Sequence, residues 1–398
     1  MARPPRPIAW LHANLGFGGG ERVLVEQVRA MEPTGRPVDV WVTVGDSPQE
    51  LAPAVRAANR HVRRIETVVS ASTLARRLFF ARYEAIFTCW TVRAYRALRK
   101  LERVPCWRPP VVLETVHERY GWCIEHDDGR RSRLVDHWLA TYDFRDVLSA
   151  SFGVPLDRIS VARPLFASLA TPDAEGARER GRALRARLGI PPQARVVGYA
   201  GRLSGNKNLE KLVALVGRLA GRGLDVHLVL AGRHAPPVPD FVARLDAAVA
   251  AARAPGSPLA GRLHLLGPVE DTREVYAAAD VVPLLSHMEG LFPLMLVEAM
   301  ALGVPVVTTD VGGIGTCLTD GRDAAVVAKV PDDEREPTPA VVAAFEARLG
   351  RLLSDDAERA RLGTAGRERV AALLAGNDFH ADTRAALERA LAQGPRRR

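Results

Sequence analysis

Four short stretches of this chain of 398 residues combine residue types that bind or move charge. GRLSGNKNLEKL, residues 201–212, lies between a strand-like and a helix-like run. Arg202 and Lys207 can both point toward the helix N-terminus, whose free N–H groups already attract anions, and so complete a diphosphate site. Only four lysines occur, Lys100, Lys207, Lys211 and Lys329, against 51 arginines. A lysine retained in this loop points to a need for a compact, rotatable ammonium. The plainer alternative is a solvated loop charge.

LLSHMEGLFPLMLVEAMALGVPVVTTDVGG, residues 284–313, carries Glu289 and Glu298 on either side of an apolar stretch that begins a helix. A carboxylate there can accept sugar hydroxyls, while the nearby N–H groups receive phosphate. Glu298 lies in the apolar run VEAMAL, where a buried acid needs a partner, and a ribose diol would be one. Either glutamate alone also fits an exposed helix charge. VVLETVHERYGW, residues 111–122, places His117 just past an apolar strand, on a βα loop. LGFGGGER, residues 15–22, is a glycine-rich turn between strand and helix that allows close backbone approach to a ligand. Gly16, Gly18 and Gly20 are spaced GxGxG rather than GxGxxG. A dinucleotide fingerprint with Asp46 on the ribose, and a simple tight turn, both remain open.

The elements that must position these residues alternate between short apolar runs and helical patterns, the signature of parallel βαβ units. PIAWLHANL, VDVWVTV, EAIFTCW, VVLETVH and HWLATY read as strands in the first half; VVGYAG, DVHLVLAG, LHLLG, VVPLL and PVVTTD do so in the second. Helices are expected to begin near Lys207, Phe241, Thr272 and Leu294. The pattern restarts after an Ala/Arg-rich helix and Pro191-Pro192. This predicts an α/β chain divided into 1–170, a linker helix 171–194, a second Rossmann-like domain 195–375, and a C-terminal helix with a basic tail, 376–398. A ligand is expected in a cleft lined by the carboxyl ends of both sheets.

Composition excludes several classes. At 47% hydrophobic and 25% charged the chain is globular rather than disordered, and no apolar run is long enough to span a bilayer. Four cysteines without a CxxC pair indicate neither a disulfide scaffold nor a zinc site, and a cytoplasmic protein is expected. The net charge of +9 is matched by residues 60–108 alone, where twelve basic side chains face three acidic ones. All six tryptophans lie in the first 138 residues.

Taken together, the motifs resemble glycosyltransferase family 4, retaining enzymes of the GT-B fold, over nearly the whole chain. GRLSGNKN resembles the family's G-R-L-x-x-x-K-N/G loop, LHLLGPV its V-x-F-x-G segment, and EGLFPLMLVEAMALGVPVVTTDVGG its sugar-nucleotide signature. GGGERVL and TVHE resemble the amino-half motifs, with likeness to the lipid-oligosaccharide mannosyltransferases. The resemblance implies two Rossmann-like domains facing each other across a cleft, with C-terminal helices packing back toward the first. It implies Arg202 and Lys207 on the donor diphosphate and Glu298 on the ribose. Glu289 would meet the transferred sugar beside the backbone of Gly290, Leu291 and Phe292. His117 would lie at the sugar's 6-hydroxyl or the reaction centre, and Gly18, Gly19 and Gly20 would let donor and acceptor approach. Two departures stand out: eight residues rather than seven separate Glu289 from Glu298, and VARPLF replaces an Asn-Gly-Val-Asp-like turn.

The implied reaction is transfer of a hexose-type sugar from a nucleotide-diphosphate donor to a hydroxyl of a glycan or lipid-linked glycan. It proceeds by front-face substitution with an α-linked product. No DxD triplet occurs, so no metal and no cofactor beyond the donor co-substrate is expected. TLARRLFFARYEAIF, near 73–87, mixes arginines with large apolar residues, compatible with an amphipathic helix on an anionic inner-membrane surface or with a surface helix having one core face. Two other classes stay open. An NAD-dependent oxidoreductase would share the Rossmann pattern. A basic nucleic-acid-binding protein would share the charge, although no known nucleic-acid motif is present and no nucleic-acid partner is expected.

Overall fold

The computed structural model describes residues 5–16, 18–45, 49–89, 91–117, 132–170, 173–234, 238–290, 292–328 and 336–396. The chain divides into two units, one of Met1–Phe166 with Asn377–Arg398, the other of Ala167–Gly376.

The first unit is built on seven parallel strands in the order β3-β2-β1-β4-β5-β6-β7. These are β1 (Ile8–His12), β2 (Val38–Val42), β3 (Val62–Thr67), β4 (Ala85–Thr88), β5 (Val111–Val116), β6 (His137–Ala140) and β7 (Ile159–Val161). Every position of β1, β2, β4, β5 and β6 is buried, so these strands read as near-continuous apolar runs, as burial on both sheet faces requires. Register is fixed at the centre, where Ile8 lies opposite Val38 on one side and Ala85 on the other.

β3, VRRIET, escaped the apolar-run criterion because it is an edge strand and is only partly buried. Its arginines have a specific task. Asp39, fully buried in β2, takes Arg63 Nη2 at 2.6 Å and Nε at 3.0 Å, and accepts from Tyr83 Oη at 2.5 Å. Burial and the Asp39 charge push the Tyr83 hydroxyl well above its ordinary range, so it stays protonated and donating.

The segment 73–87 is not one amphipathic helix. It divides into α3 (Ala71–Ala81) and β4, because Leu74 and Leu78 face the core and Phe87 stacks on Trp10 with ring centroids 4.6 Å apart. Arg76, Arg77 and Phe80 remain on the exposed face, Phe80 at 73% exposure.

Of the C-terminal helices, Phe379–Gln393 completes the first unit, packing on α1 (Gly19–Ala30) and on β5, β6 and β7. His380 Nε2 meets Glu26 at 2.8 Å, and Gln393 Oε1 reaches His137 Nδ1 at 3.3 Å. The preceding helix, Asp356–Ala375, belongs to the second unit.

The second unit holds two three-stranded parallel sheets. One is β10 (Leu263–Gly267), β9 (Val226–Ala231) and β8 (Arg195–Ala200); the other is β11 (Val282–Leu284), β12 (Val306–Thr309) and β13 (Ala325–Val327). A parallel bridge between Val197 and Val281 joins β8 to β11, with Gly198 N donating to Val281 O at 3.1 Å. β13 is only three residues long, too short to stand out in the sequence. Residues 171–194, read as a linker, contain the helix Ala174–Arg187, which is part of this unit. Gly181 lets it lie directly against the backbone of Ala277, and Arg185 then donates to Ala278 O at 2.7 Å and to Asp280 Oδ2 at 2.6 Å. Among the described residues no helix is long and apolar enough to cross a membrane.

His137 makes the first unit acid-sensitive. Burial, reinforced by Arg389 and Arg158, pushes its imidazole down to about 4, while it holds Ser160 Oγ at 2.8 Å. The folded state therefore keeps it neutral, whereas an unfolded chain protonates it near pH 6.5. Stability is fully present above that pH and falls progectively toward pH 4, by about 3 kcal/mol from this group. Because every tryptophan lies in the first unit, intrinsic fluorescence in urea at stepped pH values reads this loss. His137→Gln is expected to flatten it; an unchanged pH dependence in that variant would contradict the assignment.

Candidate functional site

In the second unit the loops that follow β8 and β11 meet. Lys207 Nζ forms an ion pair with Glu289 Oε1, both side chains largely buried. The extra residue between the two glutamates thus leaves Glu289 beside the Lys207 loop. Three polar residues join the two loops. Asn206 Nδ2 donates to Met288 O at 2.8 Å, and its carbonyl accepts from Ser286 Oγ at 2.8 Å and from His287 N at 3.1 Å. Asn208, 1% exposed, donates from Nδ2 to Leu285 O at 2.9 Å and shares a 3.1 Å contact with His287 Nδ1. Asn208 also adopts φ +48°, a left-handed conformation that asparagine tolerates better than most residues. It immediately precedes the helix Leu209–Gly221.

Glu289 is held from behind as well. Gly312, at φ +61°, packs against the Glu289 carbonyl so closely that a Cβ there would collide with it. Burial, with the positive charge of Lys211, lowers the His287 imidazole below its usual range; a neutral ring can accept from Asn208 at Nδ1. Tyr199 Oη donates to Arg202 O at 2.8 Å, and burial, then the Glu289 charge, pushes that hydroxyl well above its usual range. The Arg202 side chain is exposed and has no ion pair with a described residue. Glu298 is buried in the helix Leu294–Ala301, where Oε2 accepts from Thr272 Oγ1 at 3.2 Å. Thr272 therefore supplies a protein partner for the acid that the sequence left to a ribose. Gly290 is half-buried and Phe292 buried beside this loop. Leu291 and Asp46 lie outside the described residues.

The first unit carries a separate cluster at the carboxyl ends of its central strands. His117, buried, follows β5 and packs against the first turn of α1, its Nε2 3.7 Å from where a Cβ on Gly20 would stand. His117 and Gly20 line a small cavity together with His12, Gln27, Thr88 and Thr115. Gly18 caps α1 in an extended conformation, and Gly19 is open in front. A side chain at Gly18 would collide with the carboxylate of Glu21, which folds back over the turn. This carboxylate occupies the helix end where a dinucleotide pyrophosphate would have to sit, so the fingerprint reading of the glycine turn is disfavoured.

Glu21, Asn206, Asn208, Ser286 and Gly312 were not singled out from the sequence. For Asn208 a signal existed, an asparagine at the mouth of a helix; Ser286 and Gly312 act only through contacts distant in sequence. Asn208→Ala forces alanine into the left-handed region and strands the Leu285 carbonyl, and is expected to cost about 2–3 kcal/mol, with Asn208→Gly costing about 1 kcal/mol less. Urea unfolding followed by circular dichroism, which also reads the tryptophan-free second unit, measures both. Equal losses would deny the backbone contribution.

With this geometry in place, comparison with known proteins finds likenesses for the stretch that holds Lys207 and Glu289. Residues 194–355 match the family described as glycosyl transferases group 1. A D-inositol 3-phosphate glycosyltransferase of Xylanimonas cellulosilytica is 35% identical over 219 residues, 54% of this chain and 48% of that one. Its counterpart in Corynebacterium efficiens is 28% identical over 284 residues, 67% of this chain and 61% of that one. The chain spans about half the length of the curated relatives it matches. Among solved structures, Anabaena HepE in complex with UDP-glucose matches 96% of this chain and 98% of its own, with a TM-score of 0.70 at 17% identity. The chain therefore has the GT-B fold, and residues 194–355 of its second unit are similar to glycosyl transferases group 1.

Proposed function

We propose that this protein is a retaining glycosyltransferase that moves a hexose-type sugar from a nucleotide-diphosphate donor to a hydroxyl acceptor, giving an α-linked product. The observation that carries this reading is the Lys207–Glu289 pair, inside the region matching the group 1 family. A cation for phosphate and a carboxylate for sugar hydroxyls stand side by side, as a nucleotide sugar requires. The bound UDP-glucose of the HepE structure supports a nucleotide-sugar donor.

In the proposed front-face reaction the bond from the anomeric carbon to the diphosphate oxygen breaks. The acceptor oxygen bonds on the same face, and its proton passes to the departing phosphate. Lys207 and the exposed Arg202 stabilise the leaving charge without a bridging metal or other cofactor. Glu298 holds the ribose, with Thr272 fixing the carboxylate. Glu289, flanked by Gly290, Leu291 and Phe292, takes the sugar. His117 acts at the sugar's 6-hydroxyl or the reaction centre, and Gly18, Gly19 and Gly20 let donor and acceptor approach once the Glu21 carboxylate swings off Gly18. Lys207→Ala is expected to lower turnover at least a hundredfold while the circular dichroism spectrum stays that of the folded protein, with some loss of thermal stability from the unpaired Glu289, assayed with the donor found by thermal-shift screening of UDP-, GDP-, dTDP- and ADP-sugars. Undiminished turnover would remove the phosphate role.

The acceptor reading rests on charge. We place a lipid-linked glycan at an anionic membrane surface, engaged by Arg76, Arg77 and Phe80 on the exposed face of α3. A basic surface of this kind equally suits a small phosphorylated acceptor, the class named by the inositol 3-phosphate relatives. Co-sedimentation with vesicles of rising anionic-lipid content separates the two. Binding that grows with anionic lipid and drops severalfold in Phe80→Ser with Arg76→Ala supports the membrane; its absence favours the soluble anion.

A further inference from the structure

Lys207 and Glu289 neutralise each other in this structure, and that has a consequence for which nucleotide the site retains. Their side chains are 12% and 10% exposed, and among the described residues Lys207 is the one cation paired with Glu289. Neither partner can easily find a replacement. The Glu289 backbone is fixed by Gly312 at its carbonyl and by the Asn206 contact to Met288 O, while Asn208 and Ser286 tie the Lys207 loop to the same segment. A buried ion pair that loses one partner leaves an uncompensated charge in a poorly solvated place, which costs far more than the intact pair contributes.

We infer that Glu289, through this ion pair, makes the site prefer the intact nucleotide sugar over the nucleotide diphosphate that remains after transfer. The inference rests on the donor reading proposed above. A diphosphate draws the Lys207 ammonium toward itself and away from Glu289. If a sugar is attached, its hydroxyls donate to the exposed carboxylate and the loss is made good. If the sugar has gone, Glu289 is left both unpaired and close to a like charge. The bare nucleotide diphosphate therefore binds at a disadvantage that the donor escapes. Re-formation of the Lys207–Glu289 pair then helps expel the product, so that one carboxylate both recognises the sugar and senses its departure.

The test is calorimetric binding of UDP and UDP-glucose, with GDP and GDP-mannose in parallel, to wild type and to Glu289→Gln. The substitution keeps the shape and still offers Lys207 an acceptor oxygen; Glu289→Ala serves as a second variant, and thermal unfolding checks both. The expected result is a nucleotide diphosphate bound about tenfold more tightly by the variants, with no gain for the sugar nucleotide. Unchanged or weaker diphosphate binding overturns the inference. Plain repulsion between carboxylate and phosphate is separated by a double-mutant cycle. In a Lys207→Met background there is no pair to exchange, so the gain on Glu289→Gln falls below about threefold; the same tenfold gain in both backgrounds overturns the exchange. Should wild type bind neither these pairs nor the dTDP and ADP counterparts in the same assay, the donor reading itself falls, an outcome distinct from binding that is insensitive to Glu289.

Discussion

The pairing of β8 with β11 is the constraint on which the second unit's chemistry depends. These strands are separated by β9 and β10 in the chain, yet Val197 bridges Val281, and Asp280 N donates to Val196 O at 2.8 Å. Strand order reverses at this junction, with β9 and β10 on one side and β12 and β13 on the other. Loops leaving adjacent parallel strands at such a reversal diverge and leave room for a ligand between them. Lys207 and Glu289, 82 positions apart, meet because their loops leave these two strands.

A parallel sheet alone would not hold the loops to a fixed separation. Polar side chains do so here, and they do it by satisfying backbone groups that the strand ends leave open. Asn208 and Asn206 supply donors to Leu285 O and Met288 O, and Ser286 closes back on Asn206 O. Each bond contributes modestly on its own, but Asn206 O and Met288 O each take two or more donors and Leu285 O depends on Asn208, so the set resists loosening. The first unit uses a comparable device around Asp39, where two arginines and a tyrosine secure an edge strand whose own apolar content is low.

The charge distribution is best understood at this level. The basic excess on residues 60–108 looked like one property, but it divides into arginines with structural partners and arginines without a core role. Arg63 and Arg64 neutralise Asp39. Arg76 belongs to the exposed face of α3, and Arg77 reaches Glu66 only at 4.0 Å. The hydrophobic residues interleaved with them divide in the same way, Leu74 and Leu78 inward and Phe80 outward.

The sequence by itself determined the alternation of strands and helices, because strands buried on both faces must be apolar throughout. It also placed Arg202, Lys207 and Glu289 on βα connections, and Glu298 inside an apolar helix run where a buried acid needs a partner. β3, too charged, and β13, too short, escaped that criterion. Tertiary structure alone decided that Lys207 would rest on Glu289, that Thr272 would hold Glu298, and that Glu21 would close the glycine turn. Those facts arise from contacts between segments far apart in the chain, and local residue patterns carry no information about which distant loop a side chain will meet. The turn LGFGGGER reads as an anion site in one dimension; in three it already contains its own carboxylate.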